Sequence, residues 1–474
     1  MLFTSSTFLV FFLLVFILYW LLQKKLVWQN LLLYISSLVF YGWWDWRFLF
    51  LIFFSACVDY VVGILIADEQ NERKRKWLLI ASLVVNLGTL GFFKYYNFFA
   101  ESFVELANLF GYHPGNVTLN IILPVGISFY TFQTMSYSID IYRRKFKPTR
   151  NFLNFFTYVA FFPQLVAGPI ERAADLLPQI ERPRRFRTVW FKEGIVQICV
   201  GFIRKIVVAD NLGIYVDNIY ANPDLHNSTT LMLAAVFFTF QIYCDFAGYS
   251  DIAIGTAKLL GFRFQRNFDL PFFSRTLSEH WRRWHMSLSY WMRDYVYIPL
   301  GGNRKGFALQ ARNLFLTMFL CGLWHLNTAN FMIFGAVNGI WVVVEKAVQT
   351  TDQQNIKRWK LYAWVRVMIT FAVFTLSLIF FRQATLHDST IVMSRILNFD
   401  LGMPSITNVN LFAKIILVFV LVNVIDVLLY KKKLSLEHAG RYFPNYMIVL
   451  CVAVTVLLCS LFFSGTTNFI YFQF

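Results

Sequence analysis

Residues 7–22, Thr7-Phe-Leu-Val-Phe-Phe-Leu-Leu-Val-Phe-Ile-Leu-Tyr-Trp-Leu-Leu22, contain no charged side chain and are followed almost at once by Lys24 and Lys25. The run is too long for the apolar core of a signal peptide, no basic residue precedes it, and no small-residue cleavage site follows it. We therefore expect it to stay in the protein as a first membrane helix.

Apolar runs of comparable length recur along the 474 residues, of which 58% are hydrophobic and only 15% charged. They cover residues 28–41, 48–67, 77–93, 119–142, 194–208, 231–246, 252–260, 313–325, 331–344, 362–381, 411–429 and 447–463. This pattern excludes a soluble or disordered chain. It predicts an all-α polytopic membrane protein with about ten to twelve crossings, plus re-entrant or interfacial helices.

The net charge of +17 would indicate nucleic acid as a partner if the chain were soluble. Here few basic residues lie outside short connectors between the apolar runs, and the connectors after the first, third and fifth runs contain Lys24–Lys25, residues 72–76 and residues 143–145. By the positive-inside rule these connectors face the cytoplasm. We therefore predict that both termini face the side of the membrane opposite the cytoplasm. We also predict that the chain contacts membrane lipid and binds no nucleic acid.

Residues 151–167 are apolar, yet basic residues flank them on both sides. A segment with two cytoplasmic flanks enters and returns, or lies along the interface. The predicted order is N-terminal spans over 1–150, a re-entrant and basic cytoplasmic segment over 151–192, a catalytic region over 194–350 and C-terminal spans over 360–474. With no repeat and no soluble segment, we predict one membrane domain over 1–474.

The six cysteines all lie in apolar stretches, and none forms a C-x-x-C pair or a cluster with histidine; they are Cys57, Cys199, Cys244, Cys321, Cys451 and Cys459. We expect reduced, packed thiols. His280 and His285 are five residues apart, which is not the spacing of a helical zinc pair, so no metal is predicted.

Most of the strongly polar side chains at membrane depth fall between Gln241 and Asn338. Each costs about 2.5–3.5 kcal/mol at a helix centre, so such side chains usually face a wet cavity or a partner. They are Asp245, Asp251, Glu279, His280, Arg282, Arg283, His285, Arg293, Asp294 and His325. As candidates for a substrate path we select Arg282, Ser289, Arg293, Asp245, Asp251, Trp324 and Asn338.

If residues 279–294 form one helix, its side chains separate into two stripes. One stripe is apolar: Trp281, Trp284, Leu288 and Trp291. The other is polar: Arg282, His285, Ser289 and Arg293. An interfacial helix with tryptophan anchors and arginines on lipid phosphate explains this pattern as well as a functional site does.

His325 ends a nearly uncharged run and is the most isolated polar residue of the chain. A buried neutral imidazole can accept a proton from a hydroxyl or thiol, so we predict His325 as a catalytic base. A packed histidine bonded to a backbone carbonyl is the alternative, which its position in the membrane makes less favourable. The chain has no G-x-S-x-G, Walker or dinucleotide-binding motif, so hydrolase, NTPase and Rossmann redox chemistry have no support.

Several long runs resemble the membrane-bound O-acyltransferase (MBOAT) family, and most of all its bacterial alginate O-acetyltransferase branch. They include Gln241-Ile-Tyr-Cys-Asp-Phe-Ala-Gly-Tyr-Ser-Asp251, Trp281-Arg-Arg-Trp-His-Met-Ser-Leu-Ser-Tyr-Trp-Met-Arg-Asp294, Tyr297-Ile-Pro-Leu-Gly-Gly-Asn-Arg304 and Gly322-Leu-Trp-His325. Pro124-Val-Gly-Ile-Ser-Phe-Tyr-Thr-Phe-Gln133, Phe161-Phe-Pro-Gln-Leu-Val-Ala-Gly-Pro169 and Phe469-Ile-Tyr-Phe-Gln-Phe474 match as well. The similarity covers nearly the whole chain.

This resemblance implies a helical membrane bundle with a central funnel that meets near the two motif histidines, here His285 and His325. It implies that the protein, in the bacterial inner membrane with periplasmic termini, moves an acyl group from a cytoplasmic donor, expected to be acetyl-CoA, to a periplasmic SGNH-type partner. That partner would esterify exopolysaccharide hydroxyls, and no cofactor would be bound permanently. His325 would act as general base or transient acyl carrier and His285 would aid it, while Arg282 and Arg293 would attract the anionic donor.

The sequence departs from the branch at three positions. Leu326 follows the motif histidine where glycine is common, Asn338 precedes Gly339 where histidine is expected, and His280 stands in place of an aromatic residue. We expect Leu326 to narrow the space beside His325, which affects acyl size and acceptor more than reaction class.

Two alternatives stay open at this stage. A transporter or flippase could use the same polar path without making a bond, although paired half-repeats with broken helices are not evident. The same chemistry could also serve peptidoglycan, cellulose or teichoic acid. The aromatic C-terminal residues, predicted outside, could dock the partner or simply anchor the chain at the interface.

Overall fold

The computed structural model describes residues 1–115, 117–165, 168–325, 328–352, 360–406, 409–432, 436–463 and 465. The described residues form helices and connecting turns and contain no strand, which confirms the predicted all-α class. The chain divides into two compact units: unit 1 contains residues 1–191 and 256–265, and unit 2 contains residues 192–255 and 266–474. The prediction of one membrane domain is not tested by this division.

Eight helices begin in the N-terminal part of the chain. They are α1 (Ser6–Leu21), α2 (Leu26–Asp45), α3 (Leu49–Asp68), α4 (Glu72–Leu109), α5 (Ile127–Tyr142), α6 (Phe152–Ala160), α7 (Phe162–Leu165) and α8 (Ala173–Glu181). Side-chain caps mark several of their starts. Asn71, for example, accepts hydrogen bonds from the amides of Arg73 and Lys74 at the start of α4.

Eleven helices follow. They are α9 (Thr188–Phe202), α10 (Asp210–Tyr220), α11 (Ser228–Leu259), α12 (Leu277–Arg283), α13 (Met286–Met292), α14 (Phe307–His325), α15 (Ala329–Asp352), α16 (Lys360–Arg382), α17 (Leu386–Leu397), α18 (Val409–Lys432) and α19 (Asn445–Phe462). Two π-helical segments, Ile203–Ala209 and Arg293–Tyr297, join or extend them.

Seven helical stretches in the described part of the chain are long and apolar enough to cross a membrane, which makes this a multi-pass membrane protein. They are Leu26–Asp68, Glu72–Leu109, Ser228–Leu259, Phe307–His325, Ala329–Val348, Tyr362–Arg382 and Asn445–Phe462. The first run, α1, is a shorter apolar helix. The predicted ten to twelve crossings are not confirmed by this set.

The segment predicted to enter and return contains two short helices. α6 has nine residues and α7 has four, separated by the non-helical residue Phe161. At 1.5 Å per residue, neither helix approaches the thickness of about 30 Å that a bilayer core requires. Residues 166 and 167 lie outside the described part.

A buried carboxylate joins three helices of unit 1. Asp59 on α3 is fully buried and accepts hydrogen bonds from Ser82 Oγ (2.5 Å), Ser138 Oγ (2.6 Å) and Asn86 Nδ2 (2.7 Å). These donors belong to α4 and α5. Among the residues that the structure describes, no cation pairs with Asp59, so hydrogen bonds alone stabilise its carboxyl group, whatever its protonation state.

Replacing Asp59 by leucine should destabilise unit 1 by about 3 kcal/mol or more, because three buried donors lose their acceptor at about 1–3 kcal/mol each. Asp59→Asn keeps an acceptor oxygen and should cost less. The measurement is thermal unfolding in detergent with the yield of monodisperse protein. Asp68→Asn, an exposed carboxylate on the same helix that pairs with Arg150, is the matched control. Equal stability of Asp59→Leu and Asp68→Asn would contradict the role assigned to Asp59.

Candidate functional site

The two motif histidines both lie near one tryptophan ring in unit 2. The ring centroid of Trp324 is 6.0 Å from that of His285 and 4.9 Å from that of His325. His285 is fully buried, and both His325 and Trp324 are 6% exposed. The predicted pair of histidines is therefore brought together around a predicted path residue, Trp324.

His325 is the last residue of α14, and the close packing of α14 against α15 fixes its position. A Cβ atom at Gly322 would lie 2.4 Å from the carbonyl oxygen of Phe331, and one at Gly335 would lie 2.9 Å from that of Met318. Gly335 and Gly339 form a G-x-x-x-G pair, the arrangement that lets membrane helices approach closely. Because the two backbones touch at these glycines, the end of α14 has little freedom to move.

Aromatic rings surround the imidazole of His325. The Phe381 ring lies 5.2 Å from it, and those of Phe334 and Phe331 lie 6.3 and 6.5 Å away. These rings come from α15 and α16. Residues 326 and 327 lie outside the described part of the chain, so the predicted narrowing by Leu326 stays a prediction.

His285 stands at a sharp break in the backbone. α12 ends at Arg283, Trp284 is extended, and His285 has a left-handed φ of 42° before α13 begins at Met286. The prediction of one helix over residues 279–294 with two stripes is therefore wrong, and His285 does not continue the stripe of Arg282. The break turns the His285 ring to within 4.6 Å of the Phe246 ring on α11.

Asn267 holds this break in place and was missed by the sequence analysis. Its carbonyl oxygen accepts from the Met286 amide at 2.9 Å, and its Oδ1 accepts from Ser287 Oγ at 2.7 Å. Its Nδ2 donates to Ser250 Oγ at 3.0 Å. Asn267 is 1% exposed and lies in a non-helical connector, where no periodic pattern marks it. Its neighbours Gln265, Arg266 and Asp269 are polar too, so the sequence offers no signal that singles it out.

His280 packs as an aromatic residue would, which accounts for its place in the motif. Its ring lies 4.0 Å from that of Phe374 and 5.6 Å from that of Trp284. Its Nδ1 donates to the carbonyl oxygen of Pro271 at 3.2 Å. His280 is thus a ring in the core with one polar anchor.

Asn338 is fully buried and joins three helices. Its Oδ1 accepts from Trp281 Nε1 at 3.2 Å, and its Nδ2 donates to the carbonyl oxygen of Phe334 at 2.8 Å and to Ser377 Oγ at 3.2 Å. Phe334 in turn faces His325. Asn338 therefore orients the rings around the site.

Asp245 and Asp251 form ion pairs with basic residues of the segment before α10. Lys205 Nζ lies 2.7 Å from both Asp245 and Asp210, all three being buried. Arg204 pairs with Asp251 at 2.6 Å, and Gln197 Nε2 also donates to Asp251 at 3.2 Å. Both pairs tie α11 to the segment that precedes α10.

The remaining path candidates lie nearer the surface. Arg282 and Arg293 are exposed, and Arg293 pairs with Asp294 at 2.6 Å. Ser289 is half-buried and donates to the carbonyl oxygen of Trp284 at 3.3 Å. Glu279 forms an ion pair with Arg283 at 2.8 Å.

All six cysteines are free thiols, as expected, and three of them, Cys199, Cys244 and Cys321, are buried. Within the described residues, no three His, Cys, Asp or Glu side chains converge on a point that could hold a metal ion.

The fold and the site define a class of protein: a multi-pass helical membrane protein with two imidazoles close to a buried tryptophan. The profile of MBOAT, the membrane-bound O-acyltransferase family, matches residues 143–386, which include both histidines. The chain therefore belongs to the membrane-bound O-acyltransferase family and is a membrane O-acyltransferase.

Relatives of the chain are named for the transfer of acetyl or alanyl groups. The chain is 42% identical over 395 residues to a "Probable alginate O-acetylase AlgI" of Pseudomonas syringae pv. tomato, covering 82% of this chain and 73% of the relative. It is 32% identical over 426 residues to a "Peptidoglycan O-acetyltransferase" of Helicobacter pylori, covering 83% and 77%. It is 27% identical over 275 residues to a "Teichoic acid D-alanyltransferase" of Bacillus subtilis, covering 54% and 64%.

The Gly335 contact gives a test of how α14 is held. Gly335→Ala should lower the melting temperature and acyltransferase activity together, because its Cβ would meet backbone atoms of Met318 and Phe319 at 2.9–3.0 Å. Gly88→Ala is the control, since a Cβ there meets nothing within 4 Å among the described residues. It should be neutral or stabilise its helix by about 0.5–1 kcal/mol. Thermal unfolding in detergent measures both, and a fully stable Gly335→Ala protein would refute the close contact.

Proposed function

We propose that the protein moves an acetyl group from a cytoplasmic donor, acetyl-CoA, through the bacterial inner membrane for O-acetylation of an exopolysaccharide such as alginate. The site observation that carries the proposal is that the buried imidazoles of His285 and His325 both lie within about 6 Å of the Trp324 ring, with centroid distances of 6.0 and 4.9 Å. The similarity to a relative named for alginate O-acetylation, over most of both chains, supports the choice of acyl group and acceptor. The proposed orientation places both termini in the periplasm.

In the proposed reaction, His325 acts at the reacting atoms. As a general base it takes the proton of an attacking hydroxyl while the new ester bond forms and the carbon–sulfur bond of the thioester breaks; the proton then passes to the leaving thiolate. As a transient carrier its nitrogen instead bonds to the acetyl carbon while the carbon–sulfur bond breaks and the thiolate leaves. The hydroxyl then attacks the acetyl carbon, the carbon–nitrogen bond breaks, and the hydroxyl proton passes to the thiolate. His285 assists proton transfer or orientation, and the exposed Arg282 and Arg293 attract the anionic donor.

The acceptor in the proposal is reached through a partner. An SGNH-type protein in the periplasm receives the acetyl group and passes it to the polysaccharide. The aromatic residues Phe469 to Phe474 are a candidate docking segment and lie outside the described residues. Deleting them without loss of partner binding would reject that docking role.

Peptidoglycan is the second candidate acceptor, because the relative named for peptidoglycan O-acetylation is similar over 83% of this chain. Identification of the sugar that is esterified in the parent strain and not in a deletion strain decides between the two acceptors. A hydroxyl group is acetylated with either acceptor, so the proposed role of His325 is the same in both cases.

His325→Ala should lower O-acetyl groups on the secreted polysaccharide by about 100-fold or more, the range expected when a general base is lost. Membrane abundance, measured by immunoblot, should be unchanged. His387→Ala, an exposed histidine of the same unit, is the control and should retain full acetylation. Parental acetylation by His325→Ala at equal abundance would end the proposal.

His285→Asn tests the second imidazole without disturbing the backbone, because asparagine tolerates the left-handed conformation at this position. Acetylation should fall while the melting temperature stays close to that of the parent. His285→Val, which removes the same ring but resists positive φ, should lose stability by about 1–2 kcal/mol more. Equal stability of the two variants, or full acetylation by His285→Asn, would contradict this assignment.

A transporter is distinguished from an enzyme with purified protein, labelled acetyl-CoA and the partner. Label that becomes covalently attached to the partner supports acyl transfer. Passage of the intact donor without transfer of label supports transport and rejects the enzyme.

A further inference from the structure

A lateral cavity of about 700 Å³ lies in unit 2 between α11, α16, α17, α18 and the turn Pro271–Phe273. Its wall is a continuous cluster of aromatic rings. Phe240 lies 4.7 Å from both Phe272 and Phe419, and Phe272 lies 5.4 Å from Phe371. The cavity does not include either motif histidine.

The polar groups in this wall are bonded to the protein itself. Thr375 Oγ1 accepts from Thr239 Oγ1 at 3.0 Å, and Asn423 Nδ2 donates to the carbonyl oxygen of Phe419 at 2.8 Å. A cavity whose remaining surface is almost entirely hydrocarbon favours an apolar occupant over water.

The cavity lies at membrane depth and opens sideways. Two of its walls are the candidate spans Ser228–Leu259 and Tyr362–Arg382. Apolar residues at its edge face outward, with Met368 70% and Phe399 67% exposed. At this depth the surrounding medium is lipid, so the available apolar occupant is an acyl chain.

At one end of the cavity, aromatic rings cluster as they do at a membrane interface. The Phe273 ring stacks on that of Tyr430 at 4.6 Å and lies 6.4 Å from that of Trp364. Aromatic residues of this kind collect at the level of lipid headgroups.

Two cations flank that stack. Arg275 follows Phe273 by two residues and Lys431 follows Tyr430 directly, and both are exposed. Neither side chain forms an ion pair or hydrogen bond with any residue that the structure describes. Two unneutralised cations beside an aromatic belt favour a phosphate group.

We propose that this cavity binds an anionic phospholipid, with one acyl chain between α11 and α16 and the headgroup phosphate held by Arg275 and Lys431. The bound chain packs on Phe272, whose ring also lies 6.2 Å from those of His280 and Trp284. The lipid thereby stabilises the packing of Phe272 against His280 and Trp284, the residues that precede the backbone break at His285. Binding requires no acyl donor and no turnover.

The test uses the full-length chain, stripped of lipid and titrated with phosphatidylglycerol or phosphatidylcholine of identical acyl chains, with binding measured by native mass spectrometry. The parent should bind phosphatidylglycerol about tenfold more tightly than phosphatidylcholine. The double variant Arg275→Gln/Lys431→Gln should lose that preference. Arg304→Gln/Lys305→Gln, which removes two exposed charges elsewhere in the same unit, should keep it.

Ala372→Trp fills the cavity from α16 and should weaken binding of both lipids about tenfold or more. Ala372 is exposed, so the larger side chain leaves the core packing untouched. Equal binding of the two lipids by the parent overturns the proposal, as does an unchanged preference in Arg275→Gln/Lys431→Gln. Undiminished binding by Ala372→Trp overturns the placement of the chain.

Discussion

The contact between the backbones of α14 and α15 is the constraint on which the candidate site depends. Hydrophobic burial does not hold helices together in a bilayer, because lipid is as apolar as the helix surface. Close packing at Gly322, Gly335 and Gly339 supplies the attraction instead, since carbonyl and Cα atoms meet there directly. This contact places Trp324 and His325 at the end of α14.

His285 also contacts Trp324, but a break in the backbone positions it, not the packing of two helices. A continuous helix from Leu277 would place His285 on the same face as Arg282, which is exposed. The left-handed residue at 285 instead redirects the chain, and Asn267 stabilises the redirected backbone through three hydrogen bonds. Strained backbone of this kind persists where surrounding contacts determine it and is common at functional sites.

The all-α fold class and the selection of His285 and His325 as candidates followed from the sequence. The backbone geometry around His285 and the partners of the buried carboxylates did not. Long uncharged runs have one stable form in a bilayer, so an all-α membrane protein was predictable. Periodicity could not reveal the break at His285, because a single left-handed residue leaves the spacing of tryptophans and arginines unchanged. Asp245 and Asp251 were chosen for their depth, but their partners Lys205 and Arg204 lie 40 or more residues away. Such pairing is set by tertiary packing.

The polar groups buried in this chain then separate into two kinds. Carboxylates and cations are neutralised by one another or bonded from several helices, as in the Lys205 cluster and at Asp59. Groups matched in this way stabilise the helix packing, and using one for catalysis would expose its partner as an unpaired buried charge. An imidazole differs because it is stable among aromatic rings while uncharged and can still take up a proton when a reaction supplies one. The chemistry proposed for the two histidines next to Trp324 therefore requires no unpaired buried charge.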